Sequence, residues 1–328
     1  MKKLLLAGLI ITIIIVCSGC TININDNSDK NDDVVKDDIT DEIIDEVIDD
    51  VPNITDEVVY EVLFTTETMP KIDGSTANIP LAELILKRIT DMDQDEIDKR
   101  INFTTTPNSY MNLGYGSTNL LLVYEADDET KQQLIDYSYS EFEYYEIGLD
   151  ALVFLTNINN PVDSITTQQL QDIYTGKITN WKELGGEDKP IVPFQRIEKS
   201  GSQALMRKLV MGNLEMTQAP EELAPGEMGG LMTALADYDN ESNSIGYSVY
   251  YYAKNMFALP NLKLLAIDGV APSNATIADA SYPFINPFFA VIRKDTAADS
   301  NERKLLNWIL SDKGKQTIID SGYVAVIK

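Results

Sequence analysis

Apolar residues in this chain follow two alternating rhythms. Continuous apolar runs at 120–124, 151–155, 245–252 and 284–292 predict buried strands, with shorter strand-like runs at 59–65, 190–194 and 322–327. Between them, apolar positions three and four apart predict helices. Leu81, Leu84, Ile85 and Ile89 form one such face; Leu170 and Ile173 form another within 166–174, which Gly176 closes. Leu205, Met206 and Leu209 mark a helix over 204–211 that Gly212 ends, and 305–310 is helical too. A short helical stretch opens after Phe103 and stops near Gly114, and 226–238 reads as a loop and helix. Strand and helix alternate and no long-period repeat is visible, so the pattern predicts α/β layers.

The N-terminal end of this pattern is unlike the rest. Lys2 and Lys3, a nearly unbroken apolar run to Val16, and Cys17-Ser18-Gly19-Cys20 have the layout of a secretion signal. The apolar run is too short for a confident membrane span. The small residues before Cys20 resemble a bacterial lipobox, with a departure at Cys17 where leucine is usual. Residues 1–20 are thus expected to be a lipoprotein signal peptide with lipid on Cys20. The folded part then sits on the extracytoplasmic face of the cell membrane. These are the only two cysteines, so the mature chain is expected to form no internal disulfide and to hold no thiolate metal site.

The net charge of −26 changes the picture less than its size suggests. Residues 21–57 carry fourteen acids and two lysines, a net −12, with almost no aromatic residues. Such a segment cannot bury enough apolar surface to fold and is expected to be an acidic disordered tether. Ile43, Ile44, Val47 and Ile48 have helical spacing, which leaves a transient helix open there. The acidic balance argues against nucleic acid. It does not exclude a small anion, because salt screens distant exposed charges over ~8–10 Å.

Candidate chemistry lies at helix starts. Gln195-Arg196-Ile197-Glu198-Lys199-Ser200-Gly201-Ser202 links a strand to a helix, the geometry in which N–H groups and hydroxyls converge on an anion. Arg196 adds a permanent charge with a planar fork of donors. Gly74-Ser75-Thr76-Ala77 is a second strand–turn–helix junction, with Pro80 suited to a first helical turn. Thr104-Thr105-Thr106-Pro107-Asn108-Ser109 is a third hydroxyl-rich start, and Glu125 stands at a strand end, where open α/β sheets place ligands. Asp91-Met92-Asp93-Gln94-Asp95 lacks the glycine and the final bidentate carboxylate of a calcium loop, and reads as a solvated acidic run between helix and loop.

Asp150-Ala151-Leu152-Val153-Phe154, the block from Ile173 to Trp181, Arg196 with Ser200-Gly201-Ser202, and Ile245-Gly246-Tyr247 together resemble the phosphate-binding lipoproteins of bacterial ABC importers. The resemblance covers roughly 72–326. It implies a two-lobed clamshell of the periplasmic-binding-protein type II, each lobe a mixed sheet flanked by helices. Lobe 1 is expected over 58–149 plus 283–328 and lobe 2 over 150–282, with crossovers near Asp150 and near Tyr282 to Phe288. The implied phosphate ligands are Arg196, Ser200, Gly201 and Ser202, then Thr76 with the N–H of Ala77, and Thr106. Ser75 is the register alternative to Thr76, and Ser109 the alternative to Thr106. The family's proton-accepting Asp falls at Glu125, a departure that needs a different backbone position. A carboxylate there would take the proton that phosphate carries near neutral pH and would repel sulfate.

The resulting expectation is a monomeric, lipid-anchored binding protein that hands inorganic phosphate to ABC permease subunits, without cofactor or catalysis. The alternatives are the same fold with another oxyanion or a phosphate ester, or a phosphate sensor without transport. A secreted hydrolase is opposed by the absence of any histidine, which leaves only the adjacent Lys199 and Ser200 as an unpromising pair. An adhesin or spacer is the reading if no small molecule binds.

Overall fold

A computed structural model describes residues 60–326 except 140, 199, 227 and 238–242. The signal, Cys20, the acidic segment and Lys199 lie outside the described residues. The first half of the fold sets two strands beside four helices. Strand β1 (Ile72–Gly74) runs through a 3-10 turn (Thr76–Asn78) into α1 (Ile79–Ile89). Then follow α2 (Gln94–Arg100), α3 (Thr106–Tyr115), β2 (Leu120–Tyr124) and α4 (Asp128–Asp136). The long strand β3 (Phe142–Asn157) leads to β4 (Ser164–Ile165), α5 (Thr167–Tyr174) and β5 (Val192–Pro193).

After β5 come α6 (Gly201–Leu205), a π-helical continuation (Met206–Met211), α7 (Met228–Asp237) and β6 (Ser244–Val249). The chain closes with β7 (Leu262–Leu264), β8 (Ala266–Ile267), α8 (Asn274–Ala278), β9 (Ile285–Arg293), α9 (Asn301–Leu310), α10 (Asp312–Asp320) and β10 (Val324–Ala325). The main sheet has the order β1-β2-β9-β3-β6-β5, with β7 and β10 also on β3; β4 and β8 pair separately. Neighbours β1/β2 and β5/β6 are parallel, whereas β2/β9, β3/β9 and β3/β6 are antiparallel, which makes the sheet mixed.

Strand β3 organises this arrangement by changing partners along its length. From Phe142 to Ala151 it pairs with β9, and from Leu152 to Thr156 it pairs with β6. A bulge between Glu146 and Gly148 marks the approach to that change. Gly148 has to be glycine because a Cβ would sit 2.3 Å from the Phe288 ring and 3.0 Å from the Val324 carbonyl. The close contact lets β10 dock against β3 at Gly148 and Leu149.

Two apolar cores fall on either side of the exchange. One gathers Leu81, Ile85, Leu120, Leu122, Phe288, Ile292, Leu305 and Ile309. The other gathers Leu152 to Leu155, Leu170, Ile173, Tyr174, Trp181, Phe194, Leu231, Ile245, Tyr247 and Phe284. Along β2, Leu121 and Val123 turn to a third, smaller core with Tyr110 and Leu113. Opposite faces of this strand are therefore both covered, which explains its unbroken apolar run.

Several expectations need adjusting. Among residues 60–65 only an isolated bridge, Phe64 to Thr90, is made, so the expected strand there is absent from the described part. The helix expected over 204–211 is a single α-helical turn passing into a π-helix. The strand-like run beyond Val249 turns helical, because Tyr250 to Met256 closes i→i+4 and i→i+5 bonds instead of adding to the sheet. The acidic run at Asp91 to Asp95 opens a helix: Asp93 accepts from the Glu96 N–H while the Glu96 carboxylate accepts from the Asp93 N–H, a reciprocal capping box.

Candidate functional site

Side-chain capping differs among the helix starts, and α1, which continues the Thr76–Asn78 turn behind Asn78, also lacks a side-chain cap. Among the described residues, α2, α4, α5, α8, α9 and α10 are each capped by the preceding side chain: Asp93, Asp127, Thr166, Ser273, Ser300 and Ser311. The residues heading the Thr76–Asn78 turn, α3 and α6 are Ser75, Thr105 and Ser200, and none of these side chains caps its own helix. The N-terminal N–H groups of an uncapped helix remain available to an external acceptor, and the helix dipole favours an anion there.

The same three starts converge. Ser75 Oγ and Thr106 Oγ1 share a hydrogen bond of 2.6 Å, and the Tyr124 N–H donates to Ser75 Oγ over 3.1 Å. A Cβ placed on Gly201 would lie 3.9 Å from Thr106 Oγ1, so the third start faces the second at van der Waals distance. Gly74 lets β1 come this close to β2, since a Cβ there would be 1.8 Å from the Leu122 carbonyl oxygen. Thr105 carries φ 93° and ψ 158°, a region that costs a non-glycine residue roughly 1–3 kcal/mol. That strain sets the entry angle of Thr106.

Behind Gly201, Arg196 and Ser200 are both buried on the turn from β5 to α6, Arg196 with 6% of its surface exposed. The Arg196 N–H donates to Gln203 Oε1 and Tyr247 Oη at 3.2 Å each. Its Nε donates to the Pro225 carbonyl over 3.1 Å, and Nη2 to the Gly226 carbonyl over 2.9 Å. Ser202 is 1% exposed, and its Oγ is buried without a hydrogen-bond partner among the described residues. A buried hydroxyl without a partner is uncommon, and it makes Ser202 a candidate donor to a bound oxyanion.

The remaining expected residues divide. Thr76 is exposed, and Ser75, its register alternative, bonds to Thr106. Ala77 is buried, and its carbonyl accepts from Tyr323 Oη over 2.8 Å. Ser109 spends its hydroxyl proton on the Thr106 carbonyl at 2.8 Å, a helix-internal bond. Glu125 bonds to neither Ser75 nor Thr106; Lys131 donates to it at 2.7 Å and Lys208 donates to its other oxygen. Burial alone would raise the Glu125 pKa, but the hydrogen bonds and charges of the two lysines outweigh it and hold the carboxyl below its ordinary value.

Two functional neighbours were not anticipated. Gln203 and Tyr247 hold the backbone of Arg196; Tyr247 lies in the Ile245-Gly246-Tyr247 block that carries the resemblance, whereas nothing in the sequence marked Gln203. A cavity of about 580 Å³ opens elsewhere, beside β1, lined by Lys71, Asp73, Arg100 and Thr104 among others. None of the expected anion ligands lines it. The Asp73 carboxylate in its wall is already filled by the N–H groups of Gly74 and Thr104, the Thr104 hydroxyl and Asn112.

With this geometry in hand, comparison with known proteins gives consistent results. A family model described as a PBP superfamily domain matches residues 71–313. The phosphate-binding protein PstS of Staphylococcus haemolyticus is 28% identical over 206 residues, 60% of this chain and 62% of that protein. The match thus spans a little under two thirds of that relative's length. The phosphate-binding protein PstS of Borreliella burgdorferi is 23% identical over 79% of this chain and 91% of its own. Among solved structures, a protein of Clostridium perfringens assigned as a phosphate ABC transporter substrate-binding protein, solved with bound phosphate, is 25% identical. It superposes with a TM-score of 0.61 over 81% of this chain and 100% of its own.

Proposed function

The chain belongs to the PBP superfamily, and from that premise we propose that it is an extracytoplasmic substrate-binding protein that captures inorganic phosphate for an ABC importer. The observation carrying this reading is the meeting of three helix starts that lack side-chain caps, at Ser75, Thr106 and Gly201. A dehydrated phosphate is costly to bury unless each oxygen is paired. Uncapped N–H groups and the hydroxyls of Ser75, Thr76, Thr106, Ser200 and Ser202 are the proposed donors, bonds to a charged acceptor being the stronger ones. Arg196 adds its positive charge, while its Nε and Nη2 are held by the Pro225 and Gly226 carbonyls.

The proposed lobes are 58–149 plus 283–328 and 150–282, with the ligand between them. The two main apolar cores on either side of the β3 partner exchange are in keeping with that division, with Val249 and Tyr251 packing into the first core and Phe284 into the second. Closure about the crossovers at Asp150 and Tyr282 to Phe288 would be the signal read by the permease. Glu125 is the proposed acceptor of the phosphate proton. The two lysines on it favour its ionised form, the form that role needs. Lipid on Cys20 and the acidic segment behind it would tether a monomer to the membrane. The protein works by binding and release, with no catalytic step.

Calorimetric titration of the full-length chain with phosphate, and with sulfate as competitor, tests the proposal. Saturable phosphate binding that Arg196→Ala abolishes is the expected result. Equal affinity in the variant, or a preference for sulfate, would remove it.

A further inference from the structure

Asp150 is a buried carboxylate that the anion site does not use directly. It is 1% exposed and stands where β3 leaves β9 for β6. Its Oδ1 accepts from the N–H groups of Ala151 at 2.8 Å and Tyr251 at 3.0 Å, and its Oδ2 accepts from Tyr124 Oη at 2.7 Å. The bond from Tyr251 puts a side chain where the β3–β6 ladder would otherwise continue. A carboxylate at a strand exchange is thus replacing backbone pairing, and every lone pair it uses there has a named donor.

Two routes lead from this joint to the loop from Ser75 to Asn78. Tyr124 is bonded to Asp150 through its hydroxyl, and to Ser75 Oγ through its backbone N–H. Tyr251 stacks on Tyr323 with ring centroids 3.7 Å apart and planes 9° from parallel, and the single Tyr323 hydroxyl proton is shared between the Ala77 carbonyl at 2.8 Å and Asn78 Oδ1 at 2.9 Å. Both ends of the loop are therefore tied to residues that contact Asp150 or stack on its neighbour.

We propose that Asp150 is a positioning residue that couples the strand exchange between the two cores to the conformation of the loop from Ser75 to Asn78. Because it accepts bonds from both sides of the exchange, a change of angle there moves Tyr124 and Tyr251 together. The loop's grip on a ligand and the angle between the cores then become one equilibrium, each biasing the other. The inference rests on the phosphate-binding reading only for what the loop holds; the wiring itself is independent of the ligand.

The titratable groups facing Asp150 are Tyr124, Tyr251 and Tyr323, all kept protonated by burial, with Glu83 of α1 acting on Tyr251. Burial raises the Asp150 pKa to about 6, against the opposing bonds from Tyr124 and Tyr251. At neutral pH the group is an acceptor on both oxygens; once protonated, one oxygen becomes a donor facing the Tyr124 hydroxyl.

The test compares phosphate affinity of the full-length wild type, Asp150→Asn and Tyr124→Phe from pH 5 to 7.5, with hydrogen exchange of backbone amides measured without phosphate. Asp150→Asn presents a donor where the protonated acid would. It should bind phosphate about tenfold more weakly at pH 7.5, the upper range for coupling through a packed network, with the gap closing toward pH 5. Taking the ratio to wild type cancels phosphate's own ionisation. The Ser75 and Tyr124 amides should exchange faster in both variants, while amides of α5 and α9 should not. A constant gap across pH, or exchange that rises uniformly, makes Asp150 merely structural and overturns the proposal. If Asp150→Asn fails to fold, Tyr124→Phe carries the same comparison. If wild type binds no phosphate but the loop amides respond as expected, the functional reading falls and the coupling stands.

Discussion

The carboxylate of Glu125, just past the end of β2, forms an ion pair with the ammonium of Lys208, 83 residues further along the chain in the π-helical segment after α6. The pair joins the element that precedes the two cores' exchange to the element that carries the serine-rich turn. Lys131 holds the other carboxylate oxygen, so Glu125 is clamped between two cations.

This clamp predicts a small, salt-sensitive stability effect. The side chains are 41% and 59% exposed, so solvent screens the pair and Lys208→Ala should cost less than about 1 kcal/mol. The folded carboxyl sits below its unfolded value of 4.5, so its contribution is present above that pH and is lost as the pH falls through the lower folded value. Melting curves of wild type and Lys208→Ala at low and high salt should converge at high salt and in acid. A gap that persists in both conditions would contradict the argument.

Asp150 predicts the opposite pH trend. Its folded pKa is raised from 3.8 to about 6, so the folded chain holds this proton more tightly than the unfolded chain does. Its contribution is fully present below pH 3.8 and is lost as the pH rises to about 6, on the order of 3 kcal/mol in all. Asp150→Asn lacks this term. Denaturant titrations should show wild type gaining stability relative to the variant as pH is lowered from 7 to 4, and parallel curves would refute the assignment.

Ser75 and Thr76 should separate stability from binding. Ser75→Ala leaves the buried Tyr124 N–H without its acceptor and Thr106 without its partner, which should cost about 1–3 kcal/mol. Thr76 is exposed, so Thr76→Ala should stay within about 0.5 kcal/mol of wild type. Chemical denaturation measures the first difference. Phosphate titration then tells which hydroxyl the ligand uses, and loss of affinity in Thr76→Ala alone would place the ligand on Thr76.

Arg196→Lys keeps the charge but removes the fork. Lysine cannot reproduce the two separate bonds to the Pro225 and Gly226 carbonyls, so both stability and phosphate affinity should fall, the latter by at least about tenfold. Wild-type affinity in the lysine variant would show that charge alone suffices.

The apolar rhythm of the sequence was enough to settle the α/β layering, and strand 120–124 matches β2 to the residue, because a strand covered on both faces writes an unbroken apolar run. Helix α5 was equally legible, since Thr166 and Gln169 supply its capping box within four residues. Local chemistry also marked the helix starts at Ser75, Thr106 and Ser200. What it could not supply was their meeting. Ser75 and Thr106 are 31 residues apart and Thr106 and Gly201 are 95 apart, and only the pairing of β1 with β2 and the partner change in β3 bring them together. The bonds of Asp150 to Tyr124 and Tyr251 were likewise hidden, because a lone acid in an apolar run gives no indication of its donors. Periodicity records what each residue faces along its own element; which elements then face one another is decided by long-range packing, and only tertiary structure carries that information.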